Sequence, residues 1–392
     1  MSVRHADRGL RILIAPDSFK ESLDAAAVAR ALEKGLRRVL RDARIEKLPM
    51  ADGGEGTVAA VVGATGGRLL RRSVTGPLGE PVRAAFALLP DGSAVIEMAA
   101  ASGLPLVPPG RRDPQFTTTR GTGELMVRAL ELGASRLIIG LGGSATNDAG
   151  AGMAQALGAV FRDRRGRVLE RPLAGGDLGA VATLALDHMA LPRAGVEVLA
   201  ACDVRNPLCG PRGAAATFGP QKGAGPAQVR SLERNLRHFA DVVEGLTRRG
   251  LGARAGAGAA GGLGFGLMAF AGARLVPGAS LLMDLLGVEA RLRDADLLIT
   301  AEGRLDGQTL LGKAPHALAA LARRAGVPVI GVGGALGDDA SALFRHGFDA
   351  LEASVTGPTE LSRALLDARV NLERAGERIG RWLQLARRLR RD

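Results

Sequence analysis

Tyrosine is absent from this 392-residue chain, tryptophan occurs once, and aromatic residues together make up only 3%. Single-stranded nucleic acid is bound by stacking bases on aromatic rings, and this chain has little to build such a platform from. Its net charge of +12 therefore does not by itself mark a nucleic-acid partner, and none is expected. The positive charge is spread along the chain. One dense run, Arg381, Arg387, Arg388, Arg390 and Arg391, reads as the solvated end of a helix, where cations suit the dipole. Two cysteines, Cys202 and Cys209, cannot make a disulfide framework and read as small buried fillers. The first twenty residues contain no apolar run of the signal-peptide kind, so a cytoplasmic protein is expected. Five histidines (His5, His188, His238, His316, His346) show no ligand spacing, which argues against zinc, and there is no G-x-S-x-G nucleophile elbow. Residues 255–273 are uncharged but mostly Gly and Ala. Their hydrophobic gain is too small for a membrane span, and they read as a glycine loop entering a buried helix.

Lysine is scarce as well. Of 52 basic residues only five are Lys: Lys20, Lys34, Lys47, Lys222 and Lys313. In a chain that uses Arg by default, a retained Lys marks a place where a compact ammonium can be needed in place of a planar fork. Lys20, Lys222 and Lys313 each lie beside Gly or hydroxyl residues, the setting of phosphate-handling lysines.

What is present describes a globular protein of 46% hydrophobic and 23% charged residues, long enough for two or three domains at about 150 residues each. Strand–loop–helix units open the chain: strand 11–15, a helix over 24–40 capped by Ser22, strand 45–50 and helix 57–64. Residues 68–110 alternate and carry turn signals, which suggests antiparallel strands of another domain. A helix capped by Thr122 runs to Leu132. Strand 136–143 enters a glycine loop, a helix covers 150–160, another strand covers 196–204, and a helix lies near 226–247. The α/β rhythm returns with strand 296–303, a helix from Pro315 to Gly326, strand 327–334, helix 338–346, strand 350–355 and one long helix over 360–390. The simplest assembly puts both chain ends in one parallel sheet, 1–72 with 290–392. Residues 73–289 form an inserted α/β domain, and the cleft between the two is the default ligand site.

Five polar or glycine-rich loops follow these strands: 16–22, 50–56, 140–150, 201–225 and 300–316. Glycine lets backbone N–H groups approach an anion, and a helix N-terminus adds positive potential. Gly140-Leu-Gly142-Gly143-Ser144-Ala145 fits a dinucleotide fingerprint only weakly, because the region about twenty residues on is charged and turn-like. Ser144, Thr146, Asn147 and Asp148 instead suit phosphate with Mg²⁺. The run Gly307–Lys313 is nearly a P-loop, but Ala314 stands where the magnesium-binding hydroxyl belongs, so no true Walker site is expected. Carboxylates, cations and backbone amides remain: the equipment of phosphoryl transfer. A non-catalytic nucleotide- or anion-binding regulator is the alternative these loops also permit.

Taken together, APDSFKESLDAAAVARALEKGL, PMADGGEGTV, LIIGLGGSATNDAGAG, ACDVRNPLCGPRGAAATFGPQKGA, GAAGGLGFGL and ITAEGRLDGQTLLGKAP resemble the bacterial glycerate kinase family. The resemblance runs from about Ile12 to Leu383. It implies an α/β fold, with a flavodoxin-like parallel-sheet domain and a second, inserted α/β domain. It implies transfer of the γ-phosphoryl group of ATP, with Mg²⁺, to D-glycerate. The 2-hydroxyl is favoured and the 3-hydroxyl stays open, as does the oligomeric state, a homodimer included. On the matching positions, Lys20, Asp203, Arg304 and Asp306 are candidate catalytic residues. Gly142, Gly143, Ser144, Thr146, Asn147 and Lys313 are candidates for the nucleotide. Ser18, Asp52, Arg205 and Gln308 are candidates for the substrate, and Asp148 and Glu302 for the metal.

Overall fold

A computed structural model describes residues 9–50, 56–192, 195–310 and 314–389. In chain order the strands are β1 (Arg11–Ile14), β2 (Arg44–Lys47), β3 (Arg68–Thr75), β4 (Pro81–Leu88), β5 (Ser93–Glu97), β6 (Arg136–Gly140), β7 (Val160–Arg162), β8 (Thr183–Ala185), β9 (Glu197–Ala201), β10 (Arg274–Val276), β11 (Leu297–Leu305), β12 (Val329–Leu336) and β13 (Ala350–Ala353). They belong to two compact units, Met1–Asp52 with Leu282–Asp392, and Gly53–Leu281.

The first unit holds a five-stranded sheet of order β13-β12-β11-β1-β2, every neighbour parallel. Numbered within the unit this is 2-1-3-4-5, the doubly wound flavodoxin-like order expected from the resemblance. Its strands are short apolar runs because a parallel sheet is covered on both faces; Ile12, Ile14, Ile299 and Val332 are all buried. The helix Ala25–Arg37 presents Val28, Leu32 and Leu36 to this core. Its cap is Asp24, whose Oδ1 accepts from the Ala27 peptide N–H at 2.6 Å, and not Ser22. The Ser22 hydroxyl is already committed, donating to the Leu365 carbonyl at 2.7 Å. The helix packs against the C-terminal helix Ala368–Leu389 at close range. A Cβ on Gly35 would lie 1.9 Å from the Glu373 carbonyl oxygen, and one on Gly376 would lie 2.4 Å from that of Leu32, so the crossing exists only with glycine on both sides. The single long helix expected over 360–390 is two, Leu361–Leu366 and Ala368–Leu389. Residues 340–346 make 3₁₀ turns instead of an α-helix.

The second unit holds a six-stranded sheet of order β10-β9-β6-β5-β4-β3. Its β3–β4–β5 edge is antiparallel, as the alternation over 68–110 predicts, while β5, β6, β9 and β10 run parallel. Phe161, Phe239 and Phe270 form a ring cluster in its core, with centroids 5.6–6.3 Å apart. The glycine-rich stretch becomes the helix Ala259–Phe270, buried along its length except at Ala269. No helix among the described residues is long and apolar enough to cross a membrane. The helix expected from Thr122 starts earlier, at Arg120. Thr122 sits inside its first turn with its hydroxyl 2.9 Å from that of Ser102.

Candidate active site

The described residues among those singled out by sequence lie on loops or strand ends that follow parallel strands in each unit. In the first unit the strand order reverses between β1 and β11, the switch point where doubly wound sheets bind ligands. The loop after β1 is tied to β11 by the Asp17 N–H donating to the Ala301 carbonyl at 2.8 Å and by the Thr300 hydroxyl donating to that of Ala15 at 2.9 Å. A Cβ on Gly303 would lie within 4 Å of the Phe19 Cα and the Lys20 nitrogen, so the two loops run side by side. Half-buried Ser18 and exposed Lys20 thus lie alongside the Gly303 segment, which carries Glu302 and Arg304 and leads on to Asp306 and Gln308. Arg304 is exposed, and its Nε donates to Asp306 Oδ2 at 3.0 Å. Asp306 Oδ1 accepts from the Gln308 N–H at 2.9 Å, which closes the turn and fixes the carboxylate that steers the guanidinium. Glu302 is 9% exposed, and its Oε2 accepts from the Thr309 hydroxyl at 3.2 Å. Asp52 and Lys313 lie outside the described residues.

In the second unit the loops after β6 and β9 leave adjacent parallel strands, Gly140 in register with Ala201. One loop carries Gly142, Gly143 and Ser144, and the other the exposed Asp203 and Arg205. Gly143 has φ +72°, a conformation glycine adopts without strain. Asp203 Oδ1 accepts from the Gly278 N–H at 2.9 Å.

The rest of the Gly140–Gly150 loop is buried and clamped. Asp148 is fully buried, and its two oxygens accept from four donors. These are the Thr119 N–H (2.8 Å), the Thr119 hydroxyl (2.7 Å), the Gly150 N–H (3.2 Å) and the Gly152 N–H (3.3 Å). Burial pushes its carboxyl above the usual range, and the hydrogen bonds from Thr119, Gly150 and Gly152 pull the other way. Asn147 is equally buried, yet its Oδ1 and Nδ2, like the Thr146 hydroxyl, have no partner within the described protein. A buried amide without partners is costly, and is repaid where something else is bound against it.

The residue that sequence reasoning set beside glycine but left out of the site is Lys222. It is 2% exposed, and its Nζ donates to Ser144 Oγ at 2.8 Å and to the Thr146 carbonyl at 2.7 Å. Burial lowers its pKa to about 7, against the opposing pull of Asp148. The signal that could have found it was its rarity: a Lys kept in an arginine-rich chain, next to Gly223. Thr119, whose hydroxyl also accepts from the Met153 N–H at 3.0 Å, left no such signal. The two cysteines are half-buried and unpaired with each other, and burial pushes the Cys209 thiol up to about 12.

The geometry around Asp148 makes a first prediction. Asp148→Ala leaves three N–H groups and one hydroxyl without their acceptor, and should cost about 3 kcal/mol or more of stability. Asp148→Asn keeps one carbonyl oxygen and should cost about 1–2 kcal/mol. Urea unfolding measures both. A metal ligand would give the opposite pattern, with stability kept and the metal requirement raised.

A family model described as the glycerate kinase family matches residues 12–384. A glycerate kinase from Bacillus subtilis (strain 168) is 49% identical over 96% of this chain and 99% of its own length. A glycerate 2-kinase from Escherichia coli (strain K12) is 46% identical over 97% and 99%. A crystal structure from Salmonella typhimurium LT2, of a chain proposed to be a glycerate kinase 2, superposes with a TM-score of 0.86 at 46% identity, covering 97% of this chain and all of its own. With identity of this order sustained through both units, the non-catalytic reading falls away: the chain belongs to the glycerate kinase family and is an enzyme of that family.

Proposed function

We propose that the protein transfers the γ-phosphoryl group of ATP to the 2-hydroxyl of D-glycerate. One observation carries this reading. Near-full-length similarity to glycerate kinases runs through the very loops that hold the cations, carboxylates and glycine turn described above. The name of the relative from Escherichia coli, a glycerate 2-kinase, supports the 2-hydroxyl over the 3-hydroxyl.

Glycerate is a small anion, and the exposed cations Lys20 and Arg304 suit its carboxylate. Asp306 holds Arg304 by Nε and so orients the fork. Ser18 and Gln308 are assigned to bond the glycerate hydroxyls. The exposed Asp203, with Arg205 nearby, is the carboxylate assigned to take the proton of the attacking hydroxyl. That oxygen forms the new bond to the γ-phosphorus, the bridging bond to the β-phosphate breaks, and ADP leaves with the electron pair. Phosphoryl transfer asks mainly for positioning and neutralised charge. The turn Gly142-Gly143-Ser144, with Thr146 and Asn147 behind it, offers N–H and O–H donors to the nucleotide phosphates, and Lys313 is a further candidate cation.

Mg²⁺ needs one or two carboxylates beside phosphate oxygens. No cluster of three or more His, Cys, Asp or Glu side chains suited to a metal occurs among the described residues. Glu302, at the carboxyl end of β11, is the residue assigned to hold the ion. Asp148, saturated by the chain's own donors, is assigned to holding its loop. When bound, the ion neutralises charge building on the phosphates.

The test is ADP release in a coupled assay with D-glycerate and ATP, with phosphorus NMR of the product. We expect glycerate-dependent turnover, a 2-phosphoglycerate signal and loss of turnover on chelation of Mg²⁺. ADP release indifferent to glycerate would end the reading, and a 3-phosphoglycerate signal would correct the hydroxyl.

A further inference from the structure

Lys222 takes no part in the chemistry just described, yet it is the one fully buried lysine among the described residues. A buried ammonium loses its hydration and is rarely kept without a compensating use. Its two acceptors are unlike each other. The Thr146 carbonyl can only accept. Ser144 Oγ can donate or accept, and what it does is decided by its partner. In its ammonium form Lys222 carries three donors and no lone pair, so Ser144 then accepts from it, and the one hydroxyl hydrogen of Ser144 is sent elsewhere. Ser144 sits directly after Gly142 and Gly143, and 9% of its surface reaches solvent. The Ala145 N–H donates to the Ser102 carbonyl at 3.0 Å, and the Leu104 N–H to that of Gly143 at 2.8 Å. The backbone of the turn is thus anchored on one side by 102–104, while Lys222 holds its side chain and the Thr146 carbonyl on another.

We propose that Lys222 is a positioning residue that fixes Ser144 as an obligatory donor, so that the Ser144 hydroxyl bonds a phosphate oxygen of the nucleotide. The inference rests on the ATP-dependent reading above. It adds what that reading leaves open, namely which way the serine proton points and what decides it. An anion held by Ser144 in turn favours the charged form of the lysine beneath it, so the two bonds reinforce each other.

The experiment is a double-mutant cycle on the full-length enzyme with Ser144→Ala, Lys222→Met and the pair, reading kcat/KM for ATP at saturating glycerate, KM for glycerate, and thermal unfolding. A hydrogen bond to a charged group corresponds to a loss of roughly 10- to 100-fold in kcat/KM for ATP. Each single variant should show a loss of that order with KM for glycerate little changed. The double variant should be no worse than the poorer single, because Lys222 acts through Ser144. Losses that multiply, or a Lys222→Met enzyme with a lowered melting temperature but unchanged KM for ATP, would reduce Lys222 to a structural role and overturn the proposal. Where Lys222→Met fails to fold, Ser144→Ala decides alone: KM for ATP unchanged in that folded variant overturns it. A wild-type enzyme without glycerate-dependent ADP release would sink the functional reading instead, and that is seen before any variant is made.

Discussion

Asp203→Asn should lower kcat for glycerate phosphorylation by about 10²- to 10⁴-fold, the range in which a positioned general base contributes. The substitution is chosen to spare the fold. Asparagine keeps the Oδ1 acceptor that receives the Gly278 N–H, and Asp203 is exposed, so urea unfolding should match the wild type. KM for glycerate should move little, because the proton acceptor is not what binds the acid. Asp306→Asn is the comparison. It weakens the grip on the Arg304 Nε, and should raise KM for glycerate more than it lowers kcat. Turnover of Asp203→Asn within a few-fold of wild type would remove the base from Asp203, and a collapse of kcat in Asp306→Asn would place it there.

The second large effect belongs to a glycine. A Cβ on Gly261 would lie 1.8 Å from the Thr146 carbonyl oxygen, the same oxygen that accepts from Lys222. The backbone there has φ +69°, between Ala260 at φ +51° and Gly262 at φ +90°. Three left-handed residues in succession open the helix Ala259–Phe270, a conformation that costs an L-residue about 1–2 kcal/mol at each position. Gly261→Ala adds that strain to a clash with backbone that cannot move without unseating the loop. We expect a loss of about 3 kcal/mol or more, roughly 6–12 °C in melting temperature for a unit of this size, together with a lower kcat/KM for ATP. Gly133→Ala separates the two causes. Gly133 has φ +83°, but a Cβ there meets nothing within 4 Å, so it reports conformational strain alone, about 1 kcal/mol. Equal losses at the two positions would mean that the contact with Thr146 does not matter.

How much of this was legible in the sequence depended on whether the signal was local. The strand β1 showed itself in four consecutive apolar residues, Ile12 to Ala15, stopped by Pro16, and the helix Pro226–Thr247 matched its predicted span. Helix starts were misread where a side chain had a better partner far away. Ser22 and Thr122 look like caps in one dimension, but their hydroxyls are taken by Leu365 and Ser102, contacts that only the folded chain creates. The chemistry-bearing loops were readable as a set, since glycine, carboxylate and cation cluster after successive strands. Their internal division was not. Asp148 and Asn147 are neighbours of similar polarity, yet the side chain of one is saturated by Thr119, Gly150 and Gly152 and that of the other has no partner among the described residues. Nothing in the string GGSATND says which is which. Lys222 was visible as a rarity, but its partners lie 76 and 78 positions away, beyond the reach of any spacing argument.

The place of β1 in its sheet carries a consequence for how the molecule is made. β1 is flanked by β2 on one side and β11 on the other, and the bond from Thr300 to Ala15 joins residues 285 positions apart. During translation at about 5–20 residues per second, the first strand therefore leaves the ribosome roughly 15–60 s before its second neighbour exists. For that interval it presents an unpaired apolar edge of the kind that recruits foreign strands, while the contiguous Gly53–Leu281 unit already has every segment it needs to close. Nascent-chain binding by holding chaperones should accordingly concentrate on the amino-terminal fifty residues and end only as β11 emerges.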